Sequence, residues 1–236
     1  MKTILHKSDT RGSADHGWLK AKHSFSFANY YNPERVHFGI LRVLNDDIVA
    51  PDMGFGMHPH DNMEIITIPL KGSLQHRDSM GNTAVITHGE VQVMSAGTGI
   101  THSEFNPSKT EEVNLLQIWV FPEKRNITPR YDQKLFSKDE RKNKFQLVVS
   151  PGNENGSLMV HQQTWFSLIS LENNKSIEYT VRKKGNGVYA FVIEGEVTIA
   201  GIDLLKRDGL EITDADKFSI TAKSNAEILL MDLPMN

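Results

Sequence analysis

Two short patterns in this chain have the residue types and spacing to bind a metal: His58-Pro59-His60 and, further along, His102-Ser103-Glu104. Side chains on a strand alternate between its faces, so each pair presents both polar groups on one face. Two such pairs set opposite each other make a shell of three imidazoles and one carboxylate. That donor set suits a borderline divalent first-row ion, and the chain has no cysteine to bias the site towards thiolate chemistry. Four protein ligands leave one or two positions open in a five- or six-coordinate shell, the mark of a catalytic rather than a structural metal site.

Strands must position these pairs, and most of the sequence reads as short β segments separated by Gly, Asn, Asp and Pro. Alternating or continuous apolar runs predict strands over residues 37–44, 63–70, 91–94 and 113–121 in the first half. In the second half they predict strands over 165–171, 176–181 and 188–193. Helical periodicity is scarce. Residues 122–144 turn charged and polar, with Pro122 and Pro129 as breakers, and read as a linker. Beyond it, residues 188–201 echo 64–81: an apolar strand, a residue-Gly turn, then a second strand ending at Gly. The pattern predicts two β domains in tandem, a metal-binding one over residues 1–130 and one over 131–236 that has lost the ligands. His161 is the only histidine after residue 144, so the chemistry is placed in the first half.

The totals narrow the function classes. At 236 residues and 39% hydrophobic content the chain is long enough to bury sizeable cores. A formal net charge of -3 offers no positive field for a phosphate backbone, and Arg182 to Lys184 read as a solvated face. No apolar run reaches the length of a membrane span, and the first residues lack the apolar centre of a signal peptide. A cytoplasmic protein is expected, with no membrane or direct nucleic-acid partner.

The stretch from Gly54 to Glu64, and then the Gly-rich segment from Gly89 to Asn106, resemble the two sequence motifs of the cupin superfamily. More specifically, His23 to Pro33 (HSFSFANYYNP), HPH with Glu64 four residues on, Asp78 to Gly81 (DSMG) and Met94 to Glu104 (MSAGTGITHSE) resemble the pirin family. Within it they are most similar to bacterial quercetin 2,3-dioxygenases. The resemblance implies an all-β bicupin, two tandem cupin-type β-barrel (jelly-roll) domains. One divalent transition metal would be held by the residues matching His58, His60, His102 and Glu104, with iron first among the ions and copper, manganese, nickel, cobalt or zinc also suited. The general cupin pattern would instead use Glu64 as the carboxylate ligand. Two-residue periodicity places Glu64 on the face of His58 and His60, so geometry leaves the choice open. The pirin-like pattern favours Glu104 and leaves Glu64 to orient an imidazole N–H.

By the same resemblance, the substrate is a flavonol such as quercetin. Its 3-hydroxyl would bind the metal as an oxyanion, the enolate would react with O2, and the central ring would open with loss of carbon monoxide. Glu104 would also be the catalytic residue, accepting the phenolic proton with a pKa tuned upward by burial. Phe55 would stack on the flat substrate. The alternative is a metal-dependent regulator that docks onto other proteins without relevant turnover. His6, His16, His37, His76, His88 and His161 read as surface or hydrogen-bonded residues, and Met53, Met57, Met63 and Met94 as core filling around the site. Closed barrels hide their strand edges, so a monomer is expected.

Overall fold

A computed structural model describes residues 1–235. In the first half the strands are β1 (Lys2–His6), β2 (Gly12–Asp15), β3 (Leu19–His23), β4 (Leu41–Val49), β5 (Gly54–His60) and β6 (Glu64–Lys71). They continue with β7 (Ser73–Asp78), β8 (Thr83–Thr87), β9 (Glu90–Ser95), β10 (Ile100–Phe105), β11 (Val113–Val120) and β12 (Arg130–Leu135). The second half adds β13 (Gln146–Ser150), β14 (Leu158–Met159), β15 (Trp165–Leu171), β16 (Ser176–Thr180) and β17 (Gly187–Glu194). The last five are β18 (Val197–Ile199), β19 (Ile202–Leu204), β20 (Gly209–Thr213), β21 (Lys217–Ala222) and β22 (Ala226–Leu233). Among the described residues the helical elements are 3₁₀ turns.

The fold is all-β with two domains, each built from one seven-stranded and one four-stranded sheet. The first domain joins the sheet β12-β9-β6-β11-β4-β3-β2 to the sheet β5-β10-β7-β8. The second joins β1-β20-β17-β22-β15-β13-β14 to β16-β21-β18-β19. One large apolar cluster takes residues from both seven-stranded sheets, including Leu41, Ile66, Ile118, Phe166, Phe191 and Leu229. Strands such as β17 and β22 are therefore buried on both faces, which explains their near-continuous apolar runs. Each such side chain contributes about 1.5–3 kcal/mol by burial.

The interiors of the two domains differ. The second is filled by aliphatic and aromatic side chains, among them Val188, Val192, Ile199, Phe218 and Ile228. The first mixes a small apolar cluster around Leu74, Val113 and Leu115 with buried His76, Gln92, His102 and Glu104. An apolar interior offers no lone pairs to a cation. His161 lies outside the strands, its backbone N–H donating to Glu64 at 3.2 Å. His161→Gln should therefore leave metal content at one ion per chain by elemental analysis, whereas two ions per chain would show that the second half binds metal.

One sequence expectation needs correction. The 122–144 segment is not a plain linker, because β12 lies within it and pairs residue for residue with β9, Arg130 opposite Ser95 through Leu135 opposite Glu90. It reads as polar because it is the outermost strand of its sheet and buries none of its residues. At the other end of the chain, β1 pairs with β20, Lys2 opposite Thr213, and so joins the second domain's sheet. We propose the division at 130/131 as the chain's domain boundary, with one strand from each side crossing it.

Candidate metal centre

His58 and His60 sit on β5, and His102 and Glu104 on its neighbour β10, with His102 directly opposite His58. Pairing of β10 with β7 is regular, but its pairing with β5 slips: Glu104 lies opposite Phe55, three residues before His58. The extra residue makes a bulge at Gly56-Met57, which changes the parity of β5. Phe55, His58 and His60 thereby all serve the interior, Phe55 packing edge-on against Trp18 at 5.2 Å and lying 6.5 Å from the His58 ring. Gly54 permits the close approach of the two strands, since a Cβ there would fall 2.2 Å from the Glu104 carbonyl oxygen.

The three imidazoles form a triangle, with ring centroids 4.9 Å apart for His58–His60, 4.3 Å for His58–His102 and 4.9 Å for His60–His102. One nitrogen from each lies within 4.8 Å of the others. A second group at the same spacing joins His102 to Glu104 and His76, so His102 belongs to both. His102 and Glu104 are buried, whereas His58 and His60 are half-buried. Beside His60, a depression of about 660 Å³ lined by Pro59, Asp61, Ser79, Gly99, Ile100 and Thr101 opens to solvent.

Burial sets the protonation of the cluster. Desolvation, reinforced by the neighbouring imidazoles, pushes His102 down to about 2 and His60 down to about 4, so both rings are neutral and have a lone pair to donate. Desolvation also pushes Glu104 up to about 7, against the opposing hydrogen bond from Gln117. Gln117 Nε2 donates to both Glu104 oxygens, at 3.2 and 3.1 Å, and its own carbonyl accepts from the Thr67 hydroxyl at 2.9 Å. The seven-stranded sheet thus orients a carboxylate carried by the four-stranded sheet. A further carboxyl, Asp47, is pushed up to about 8 by burial and by the nearby Asp46 and Glu104.

The donor set fits a divalent cation. His102 Nε2 is buried and has no hydrogen-bond partner, an arrangement that costs about 1–3 kcal/mol unless something accepts its lone pair. His58 is oriented for the same role: its Nδ1 donates to the Gly56 carbonyl at 2.8 Å, which leaves Nε2 free.

Glu64 does not orient an imidazole. It lies on β6, in the other sheet, where its Oε2 accepts from the Ser95 hydroxyl at 2.7 Å and from the His161 backbone. Counting alternate residues from His60 fails because the chain leaves β5 through Asn62, whose φ is 45°, before β6 begins. The methionine expectation holds for Met94, which is buried beside Ile65 and Ile100, but Met53 and Met57 are exposed. Sequence reading missed His76, Gln117 and Thr67. His76 and Asp78 share the two-residue spacing of the other pairs, a signal that was present.

Two domain families match the sequence: Pirin over residues 5–120, and the quercetinase C-terminal cupin domain over 147–233. Quercetin 2,3-dioxygenase of Escherichia coli (strain K12) is 48% identical over 231 residues, 98% of each chain. The pirin-like protein of Caulobacter vibrioides is 40% identical over 225 residues, 95% of this chain and 96% of that one. The crystal structure of the bacterial pirin YhhW from Escherichia coli in complex with nickel(II) superposes with a TM-score of 0.94 at 46% identity, covering 99% of both chains. With a relative this similar along nearly the whole length of both chains, and with the two-barrel architecture in place, this chain belongs to the pirin family of the cupin superfamily.

Proposed function

We propose that this protein is a metal-dependent dioxygenase that opens the central ring of flavonols such as quercetin with O2 and releases carbon monoxide. The observation that carries the reading is the His58–His60–His102 triangle, joined through His102 to the buried carboxyl of Glu104 and set beside an open depression. The 48% identical quercetin 2,3-dioxygenase supports the choice of substrate class. His58, His60, His102 and Glu104 are the residues that would hold one divalent transition-metal ion; the donor set suits several first-row ions, and iron is the one we propose. Such an ion supplies Lewis acidity towards an enolic hydroxyl and redox chemistry towards O2.

The chain's own residues do the rest. Glu104, unable to leave its place because Gln117 grips both oxygens, accepts the hydroxyl proton. Trp119, edge-on to His60 at 4.8 Å, and Phe55, 6.5 Å from His58, flank the imidazoles with aromatic rings. The depression beside His60 opens to solvent and is where a flat aromatic would approach the imidazoles. No helix among the described residues is long and apolar enough to cross a membrane. A cytoplasmic location, compatible with the cysteine-free sequence, and a monomeric state complete the proposal.

Metal-replete protein should consume O2 in the presence of quercetin and bleach its absorbance, while a flavone lacking the 3-hydroxyl should not react, because it has no acidic enol to surrender. An absence of flavonol-dependent oxygen uptake in iron, nickel and manganese forms alike would reject the dioxygenase reading in favour of a regulatory one.

A further inference from the structure

His76 is fully buried on β7, opposite Glu104, yet it stands outside the ligand set described above. Its surroundings define the role of each of its nitrogens. Nε2 lies 3.1 Å from Asp78 Oδ2, and a carboxylate only accepts, so Nε2 carries the proton. Asp78 is itself held ionised: its carboxylate also accepts from the backbone N–H of Met80 and Asn82 and from the Asn82 amide. Nδ1 of His76 receives the Gln92 amide at 3.2 Å, which makes it an acceptor. Tyr131 from β12 lies against the ring at 4.7 Å and fixes its plane.

The remaining neighbour of that acceptor is His102, whose Nδ1 lies 3.4 Å away. His76 Nδ1 has one lone pair, which the Gln92 amide and His102 share as a bifurcated acceptor; a lone pair on His102 Nδ1 facing it would repel, so His102 Nδ1 carries a proton. The imidazole then has its free lone pair on Nε2, the buried atom that has no partner. His58 reaches the same state through a backbone carbonyl, Gly56. His102 has no such hydrogen bond and depends on a side chain.

We infer that Asp78 and His76 form a relay that imposes the Nδ1–H tautomer on His102 and so aims its Nε2 lone pair at the metal position. His76 is on this view a positioning residue, acting on the metal through His102 without touching it. The inference rests on His102 being a ligand, but the tautomer can be read without any metal.

Long-range proton–nitrogen correlation spectra of ¹⁵N-labelled metal-free protein at neutral pH should show His102 Nδ1 protonated and Nε2 bare. The opposite tautomer would overturn the relay even if His102 does bind metal. Nickel(II) affinity, measured by competition with a chelating dye, should fall about 10- to 100-fold in His76→Leu, which keeps bulk but offers no acceptor. His76→Gln should recover most of that loss, because its side-chain carbonyl takes the His102 N–H while its amide faces Asp78. Equal weakening in both variants would reduce His76 to packing, and undiminished affinity in His76→Leu would remove it from the site. Should His76→Leu fail to fold, the wild-type tautomer alone decides.

Discussion

His102→Ala should abolish stoichiometric metal binding, and with it all metal-dependent turnover. The residue is the pivot of the centre: it belongs to the triangle with His58 and His60 and also to the group with His76 and Glu104. Removing it separates β5's ligands from β10's carboxylate and leaves His76 Nδ1 with only the Gln92 amide. Partners beyond the coordinating atoms cost about 10- to 100-fold in affinity, and loss of a shared ligand should exceed that range. Elemental analysis after dialysis, alongside His60→Ala and Glu64→Ala, provides the check. His102→Ala should be the most depleted, and Glu64→Ala should retain metal because its carboxylate binds Ser95 and the His161 backbone instead. Full metal content in His102→Ala would dismantle the assignment.

The second large effect is expected at Glu104. Replacing it with glutamine keeps its size and one acceptor for Gln117, yet removes the base. General-base catalysis is worth about 10²- to 10⁴-fold, and turnover by metal-loaded Glu104→Gln should fall by that factor. The pH profile gives the sign. Burial raises this carboxyl to about 7 in the metal-free protein, so it is protonated and inactive as a base below that value and ionised above it. A bound cation favours the carboxylate and shifts the acid limb lower. Wild-type kcat/KM should rise with pH along that limb, and the limb should be missing from the variant's residual activity. Wild-type turnover in metal-replete Glu104→Gln would exclude Glu104 as the base.

What the sequence revealed, and what it hid, follows from which interactions are local. His58 and His60 were readable because alternation along one strand depends on that strand alone. The bulge at Gly56-Met57 was not readable, because a bulge is a mismatch between β5 and β10 and exists only once they pair. Glu64 was misplaced for a related reason: parity carries no information across a turn, and Asn62 turns the chain into a different sheet. His76 looked like any isolated histidine because its significance comes from Gln92, Tyr131 and His102, each on another strand. Charged, outermost β12 resembled a linker since its partner β9 does all the burying. The two-barrel architecture was legible from the repeated strand-turn-strand pattern, while the reciprocal strand crossing was invisible, being a matter of which edge a strand chooses.

That crossing bears on how the protein is made. A ribosome delivers β1 about two hundred residues before its partner β20, so Lys2 to His6 must wait, unpaired, until Gly209 to Thr213 emerge. Contacts of such long sequence separation close slowly, because the intervening chain has to be ordered before they reward it. The nascent first barrel therefore carries β1 unpaired until β20 is made, and the second barrel, with its apolar interior, is what finally fastens it.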